Sequence, residues 1–219
     1  MPDQRLLFSK TGRARFISHL DLMRTFQRAF LRADIAIKHT EGFHPHAFVS
    51  IALPLSVGYG SCCEILEFGL LEGTLPEEVP AKLNAVLPEG IEVLSCYDAE
   101  MPVKALAWVN YSIVWEYDSP VALEAAATLQ KLLDRESLVI QKKSKKAKSG
   151  FTEVDLIPLI SSCTIHAEER TITFSMVVRA QNPGLNPALL TEVLPEALRP
   201  DFTSHARQEI LCEDGSVFR

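Results

Sequence analysis

His19, His44 and His46 are the side chains of this sequence best suited to proton transfer near neutrality, because imidazole alone titrates there unaided. The pair His44-x-His46 also has the chemistry to donate two metal ligands, with His19, His39 or Glu41 available to complete a set. Between these histidines runs a row of arginines, Arg24, Arg28 and Arg32, preceded by Lys10, Arg13 and Arg15. Arginine presents a planar fork of donors that matches phosphate or carboxylate, where lysine presents a point charge. Three residue chemistries therefore meet between Lys10 and His46: acid–base, metal ligation and anion binding. No spacing rule singles out a metal site here, so none is expected. The anion-binding pattern is the most regular of the three.

One helix must position that row. Ser18 stands where a helix should start, and Asp21 three residues later completes a capping box. At about 100° per residue, Leu22, Met23, Phe26, Ala29, Phe30 and Ala33 fall on one side, which is core. Asp21, Arg24, Arg28 and Arg32 fall on the other, with no carboxylate after Asp21 to neutralise the arginines. Glu41-Gly42-Phe43-His44-Pro45-His46 follows the helix and is not helical, since Gly42 and Pro45 both break the pattern. Pro45 biases His44 towards an extended backbone, so neither histidine ring is placed by helix or strand periodicity. Phe43 offers a ring for stacking on a base.

These residues carry a resemblance. Phe8-Ser-Lys10-x-Gly12, Arg15-Phe-Ile-Ser18-His19-Leu20-Asp21-x-x-Arg24-x-Phe26-x-Arg28, Glu41-Gly42-Phe43-His44-Pro45-His46, and Leu53-Pro-Leu55 with Gly58, Ser61 and Glu64 form one pattern. It is similar to that of the radical SAM-linked proteins, an uncharacterised bacterial family found beside, or fused behind, radical S-adenosylmethionine enzymes. The match is specific over roughly the first 65 residues. Relatives commonly have asparagine at the place of His44 and proline at that of Ala47. The resemblance implies a radical S-adenosylmethionine enzyme as partner, and it marks Ser18, Asp21, Glu41, Gly42, Glu64 and Asp155 as pattern residues.

The chain of 219 residues can bury one large core or two smaller ones. Its 47% hydrophobic and 23% charged residues are those of an ordinary globular protein. MPDQRLLF contains no signal peptide and no apolar run reaches the ~20 residues of a membrane span, so a cytoplasmic protein with reduced thiols is expected. The net charge of −6 conceals an asymmetry. Residues 1–50 hold eight Lys/Arg against four Asp/Glu, and 51–100 hold one against nine. Residues 101–150 hold eight against five, owing to Lys142, Lys143, Lys145, Lys146 and Lys148. Overall acidity argues against indiscriminate coating of nucleic acid, while two basic regions remain able to meet an anionic partner.

Element order predicts an α+β fold. Strands at Gln4–Lys10, Ala47–Leu53, Cys62–Leu71 and Ile91–Tyr97, with helices at Ser18–Ala33 and Pro76–Leu87, give β-α-β-β-α-β. After a joint at Ala99–Leu106 the order returns. Ala107–Tyr117, Cys163–Ala167, Thr171–Arg179 and Thr203–Leu211 read as strands, Ser119–Asp134 and Pro187–Leu198 as helices. Two tandem ferredoxin-like units follow, residues 1–98 and 107–219. The second carries an inserted hairpin, residues 138–160, with a lysine-loaded tip.

The absence of CxxxCxxC argues against an iron–sulfur cluster held by this chain, and no P-loop or GxGxxG implies a nucleotide cofactor. No cofactor is expected. The leading expectation is a binding protein that grips RNA through phosphate contacts, without turnover of its own. The alternative is a metal-independent RNA-processing enzyme using His19, His44 or His46 as acid and base. A small carboxylated or phosphorylated ligand on Arg24 and Arg28 is the third reading.

Overall fold

The computed structural model describes residues 3–143 and 150–219. They form a mixed α+β chain, mostly sheet, with three α-helices among the described residues. Two compact units divide it: Met1–Leu106 with Ala206–Arg219, and Ala107–His205. None of the described helices is long and apolar enough to cross a membrane.

In the first unit, β1 (Gln4–Lys10) lies antiparallel between β3 (Gly60–Phe68) and β4 (Ile91–Asp98). β2 (Val49–Ile51) adds antiparallel to β3, giving the order β4-β1-β3-β2. The helix α1 (His19–Arg32) starts at the expected place, with Ser18 Oγ accepting from the Asp21 backbone N–H. Its apolar side behaves as periodicity requires. Leu22, Phe26, Ala29 and Phe30 are buried against Leu6, Phe8, Leu66 and Phe68. Phe8 meets Phe26 edge-on at 4.8 Å between ring centroids, and Phe30 lies 4.9 Å from Phe68. Each such pair adds about 0.5–1.5 kcal/mol beyond its burial. The helix predicted at Pro76–Leu87 is shorter: a 3-10 turn at Pro76–Glu78 and then α2 (Val79–Asn84).

The second unit holds β5 (Leu106–Glu116), α3 (Ala122–Leu133), β8 (Ile160–Ala167) and β9 (Thr171–Arg179), with β9 antiparallel to both β5 and β8. Between α3 and β8, β6 (Val139–Lys143) pairs with β7 (Phe151–Asp155) as a separate two-stranded hairpin. Trp115 and Phe174 meet edge-on at 4.7 Å inside this unit, and α3 buries its alanines Ala122, Ala125 and Ala126.

Two expectations fail. No α-helix forms over Pro187–Leu198; two 3-10 turns, Pro187–Thr191 and Glu196–Leu198, replace it. Pro195 lacks the N–H that a helix interior needs and its ring collides with the preceding turn, so the pattern cannot continue. The closing strand β10 (Phe202–Cys212) is also not wholly part of the second unit. Its Ala206 and Arg207 run parallel to Gly60 and Ser61 of β3, which ties Ala206–Arg219 to the first unit.

Candidate functional site

The residues of the sequence pattern converge under the loop that leads into α1. Lys10 closes β1 and is 1% exposed, not a free cation of the loop. Its Nζ donates to the backbone oxygens of Arg15 and Ile17, at 3.1 Å each. The Gly58 N–H donates to the same Arg15 oxygen at 2.8 Å, and Gly58 has a φ of 89°, which favours glycine. Thr11 N–H reaches the oxygen of Gly90 at 2.7 Å. The short 3-10 turn Gly12–Phe16 is thus pinned at both ends before the chain enters α1.

Beneath it lies a buried ion pair. Glu64, fully buried on β3, accepts from Arg207 Nη1 at 2.8 Å, and the same nitrogen donates to the Leu53 oxygen at 2.8 Å. Glu64 Oε2 has no hydrogen-bond partner among the described residues. Burial pulls the Lys10 ammonium below its ordinary pKa, while Glu64 raises it and Arg207 lowers it further. A buried charge pair breaks even only when its geometry is well satisfied, so this one holds the Leu53 carbonyl in place rather than adding net stability. Lys10, Gly58 and Glu64 belong to one frame, and sequence reasoning missed Arg207, which is buried with Glu64. Burial along β1 runs Leu6, Phe8, Lys10 on alternate residues, and Glu64 shares a parity with Leu66 and Phe68 on β3. That period of two on β1 is the signal that would have placed Lys10 inside; β3 gives no such signal for Glu64, since Cys63, Ile65 and Leu66 are buried around it and Cys62, of the same parity, is exposed.

What the frame presents outward is cationic. Arg13, Arg24, Arg28 and Arg32 are exposed, and Arg15 is half-buried. Arg24 pairs with Asp21 at 3.2 Å, and Arg32 donates to the Val86 oxygen at 3.1 Å. Arg13 and Arg28 make no side-chain hydrogen bond among the described residues. The Ser18 hydroxyl, 2.7 Å from Asp21 Oδ2, and then Arg24 hold the Asp21 carboxyl below the usual range. Asp21 is thereby committed to capping and to steadying Arg24.

The histidines are not brought together. His19 opens α1, whereas the loop holding His44 and His46 is anchored where Gln27 Nε2 donates to the Ala47 oxygen at 3.0 Å. Eight residues along a helix are about 12 Å. His46 Nδ1 is 3.1 Å from both the Thr40 hydroxyl and the His44 oxygen, so it closes its own loop. His39 Nδ1 lies 3.1 Å from the Ile37 oxygen. Among the described residues no three His, Cys, Asp or Glu side chains are grouped to hold a metal ion. Glu41, Gly42 and Phe43 are all exposed, with Gly42 at a φ of 136° and the Phe43 ring fully in solvent.

In the second unit, Lys142 and Lys143 pair through their backbones with Thr152 and Phe151, while Lys145, Lys146 and Lys148 lie outside the described residues. Asp155 accepts from the N–H groups of Leu138 and Ile157. The Leu138 N–H first, then the Ser137 side chain and the Ile157 N–H, hold its carboxyl below the usual range and clamp the base of the hairpin.

Comparison with known proteins adds the following. No curated protein matches the chain. A chain of a Cbf5-Nop10-Gar1 complex is similar in fold, with a TM-score of 0.54 at 7% identity over 95% of this chain and 49% of that one. This chain therefore spans about half the length of that structure, and the likeness concerns the fold alone. A protein of unknown function from Galdieria sulphuraria aligns at 10% identity over 88% of this chain and 86% of that one, with a TM-score of 0.28. The family model described as "Uncharacterized protein conserved in bacteria (DUF2344)" matches residues 4–187, and the chain belongs to that family.

Proposed function

We propose that this protein binds RNA through the phosphate backbone and presents it to a radical S-adenosylmethionine enzyme. The observation that carries the RNA half is the set of exposed arginines, Arg13, Arg24, Arg28 and Arg32, on a turn whose Arg15 and Ile17 oxygens are held by Lys10 and on the helix that follows it. A cation row on a rigid element loses little conformational freedom when an anion lands on it. Arg24, Arg28 and Arg32 step about 6 Å along the α1 axis per pair, as four residues of helix must. The partner half rests on the resemblance of the sequence pattern to the radical SAM-linked proteins. The β4-β1-β3-β2 order of the first unit supports reading it as a ferredoxin-like unit.

The test is binding of a labelled single-stranded RNA to the whole chain, followed by anisotropy across a salt series, beside mass spectrometry of proteins and RNA that co-purify with it. RNA affinity that weakens with salt and drops in the Arg24→Ala/Arg28→Ala variant is expected. Absence of RNA affinity at low salt, with a small phosphorylated or carboxylated compound recovered instead, would reassign the arginines to a small anion.

A further inference from the structure

We infer that Phe16 is a base-stacking residue and that the RNA bound here is single-stranded, an inference that rests on the arginine helix being an RNA-binding surface. Phe16 is the last residue of the 3-10 turn Gly12–Phe16 and leaves 64% of its surface in solvent. The Arg15 guanidinium lies over that ring, 5.7 Å from its centroid. An aromatic face backed by a cation is the arrangement on which unpaired bases stack, each ring taking any base because every base has a π-face.

Three features make Phe16 a better platform than the fully exposed Phe43. Its backbone is fixed: Lys10 Nζ holds the oxygens of the residues on either side of it, Arg15 and Ile17. Phe43 follows a glycine at a φ of 136°, in a loop closed by the Thr40 and His46 contacts. Phe16 also sits two residues ahead of the Ser18 cap, so the ring and the arginine row belong to one continuous stretch of chain. Arg13, three residues earlier in the same turn, makes no side-chain hydrogen bond among the described residues and is placed to meet a flanking phosphate. A base on Phe16 with phosphates on Arg13 and Arg28 requires an unstacked strand, since a base inside a duplex offers no free face.

Anisotropy with the full chain distinguishes the possibilities, using a labelled oligouridylate and a labelled RNA duplex of equal length. Phe16→Ala is expected to weaken oligouridylate binding by about 5- to 150-fold, the range of one base–aromatic stack, and to leave duplex binding and the salt slope unchanged. Phe16→Trp restores the affinity and its indole emission falls on binding, while Phe16→Leu does not restore it. Equal affinity of wild type and Phe16→Ala for oligouridylate, or an equal loss on both RNAs, overturns the stacking role and leaves phosphate binding standing. A wild-type chain that binds neither RNA at low salt overturns both.

Discussion

At the scale of single residues, the deciding fact is that two charges of the sequence pattern are buried rather than displayed. Glu64 and Arg207 share one short ion pair, and Lys10 spends its ammonium on two carbonyls. Removing one partner of such a pair leaves an uncompensated buried charge, at about 3–5 kcal/mol. Arg207→Ala should therefore lower the unfolding free energy by that amount in urea melts; a loss under about 1 kcal/mol would mean the pair is solvated. Lys10→Met removes the donor from the Ile17 oxygen and one of two donors from the Arg15 oxygen, which keeps the Gly58 N–H, and should cost about 1–3 kcal/mol for the one orphaned acceptor. His205, 3% exposed, is a second buried titrating group. Desolvation lowers its pKa from 6.5 to about 4. Its folded value lies below its unfolded one, so its contribution is complete above pH 6.5 and disappears as pH falls through about 4. Stability should accordingly rise with pH across that window, by at most about 1.4 kcal/mol per pH unit from this one group. A flat profile there, or an unchanged one in His205→Asn, would show that the ring is reached by water.

At the scale of elements, α1 has two faces that mutation should separate cleanly. Phe26 and Phe30 are buried in aromatic pairs with Phe8 and Phe68, and truncating either to alanine should cost about 3–5 kcal/mol. Arg24 and Arg28 are exposed, where substitutions usually cost within about 0.5 kcal/mol. Arg24→Ala/Arg28→Ala should melt as the parent does and lose anion affinity. A collapse of its melting temperature would make these arginines part of the fold and defeat the proposed interface. Both faces were legible in the sequence, because a 3.6-residue period with a Ser18 cap allows only one orientation. The missing helix at 187–198 was not, since apolar spacing favoured it while Pro195 vetoed it, and the veto outweighs the pattern.

At the scale of the whole molecule, charge is concentrated rather than spread, with a net of −6 but eight Lys/Arg against four Asp/Glu in the first 50 residues. Under the proposed RNA binding, affinity should fall with salt by a slope of about −0.7 per phosphate contacted on a single strand. Neutralising Lys142, Lys143, Lys145, Lys146 and Lys148 together should flatten that slope if these lysines meet the same strand; an unchanged slope confines RNA to the first unit. The sequence by itself determined the α1 register and its arginine row, the strand at Gln4–Lys10, and the hairpin after α3. All are local: period, cap and turn residues act within a few positions. Only the tertiary structure decided that Arg207 on a distant strand forms a buried pair with Glu64, and that Phe16 holds an exposed ring. Those depend on which segments pair across the sheet. A strand partner more than 140 positions away leaves no trace in local periodicity.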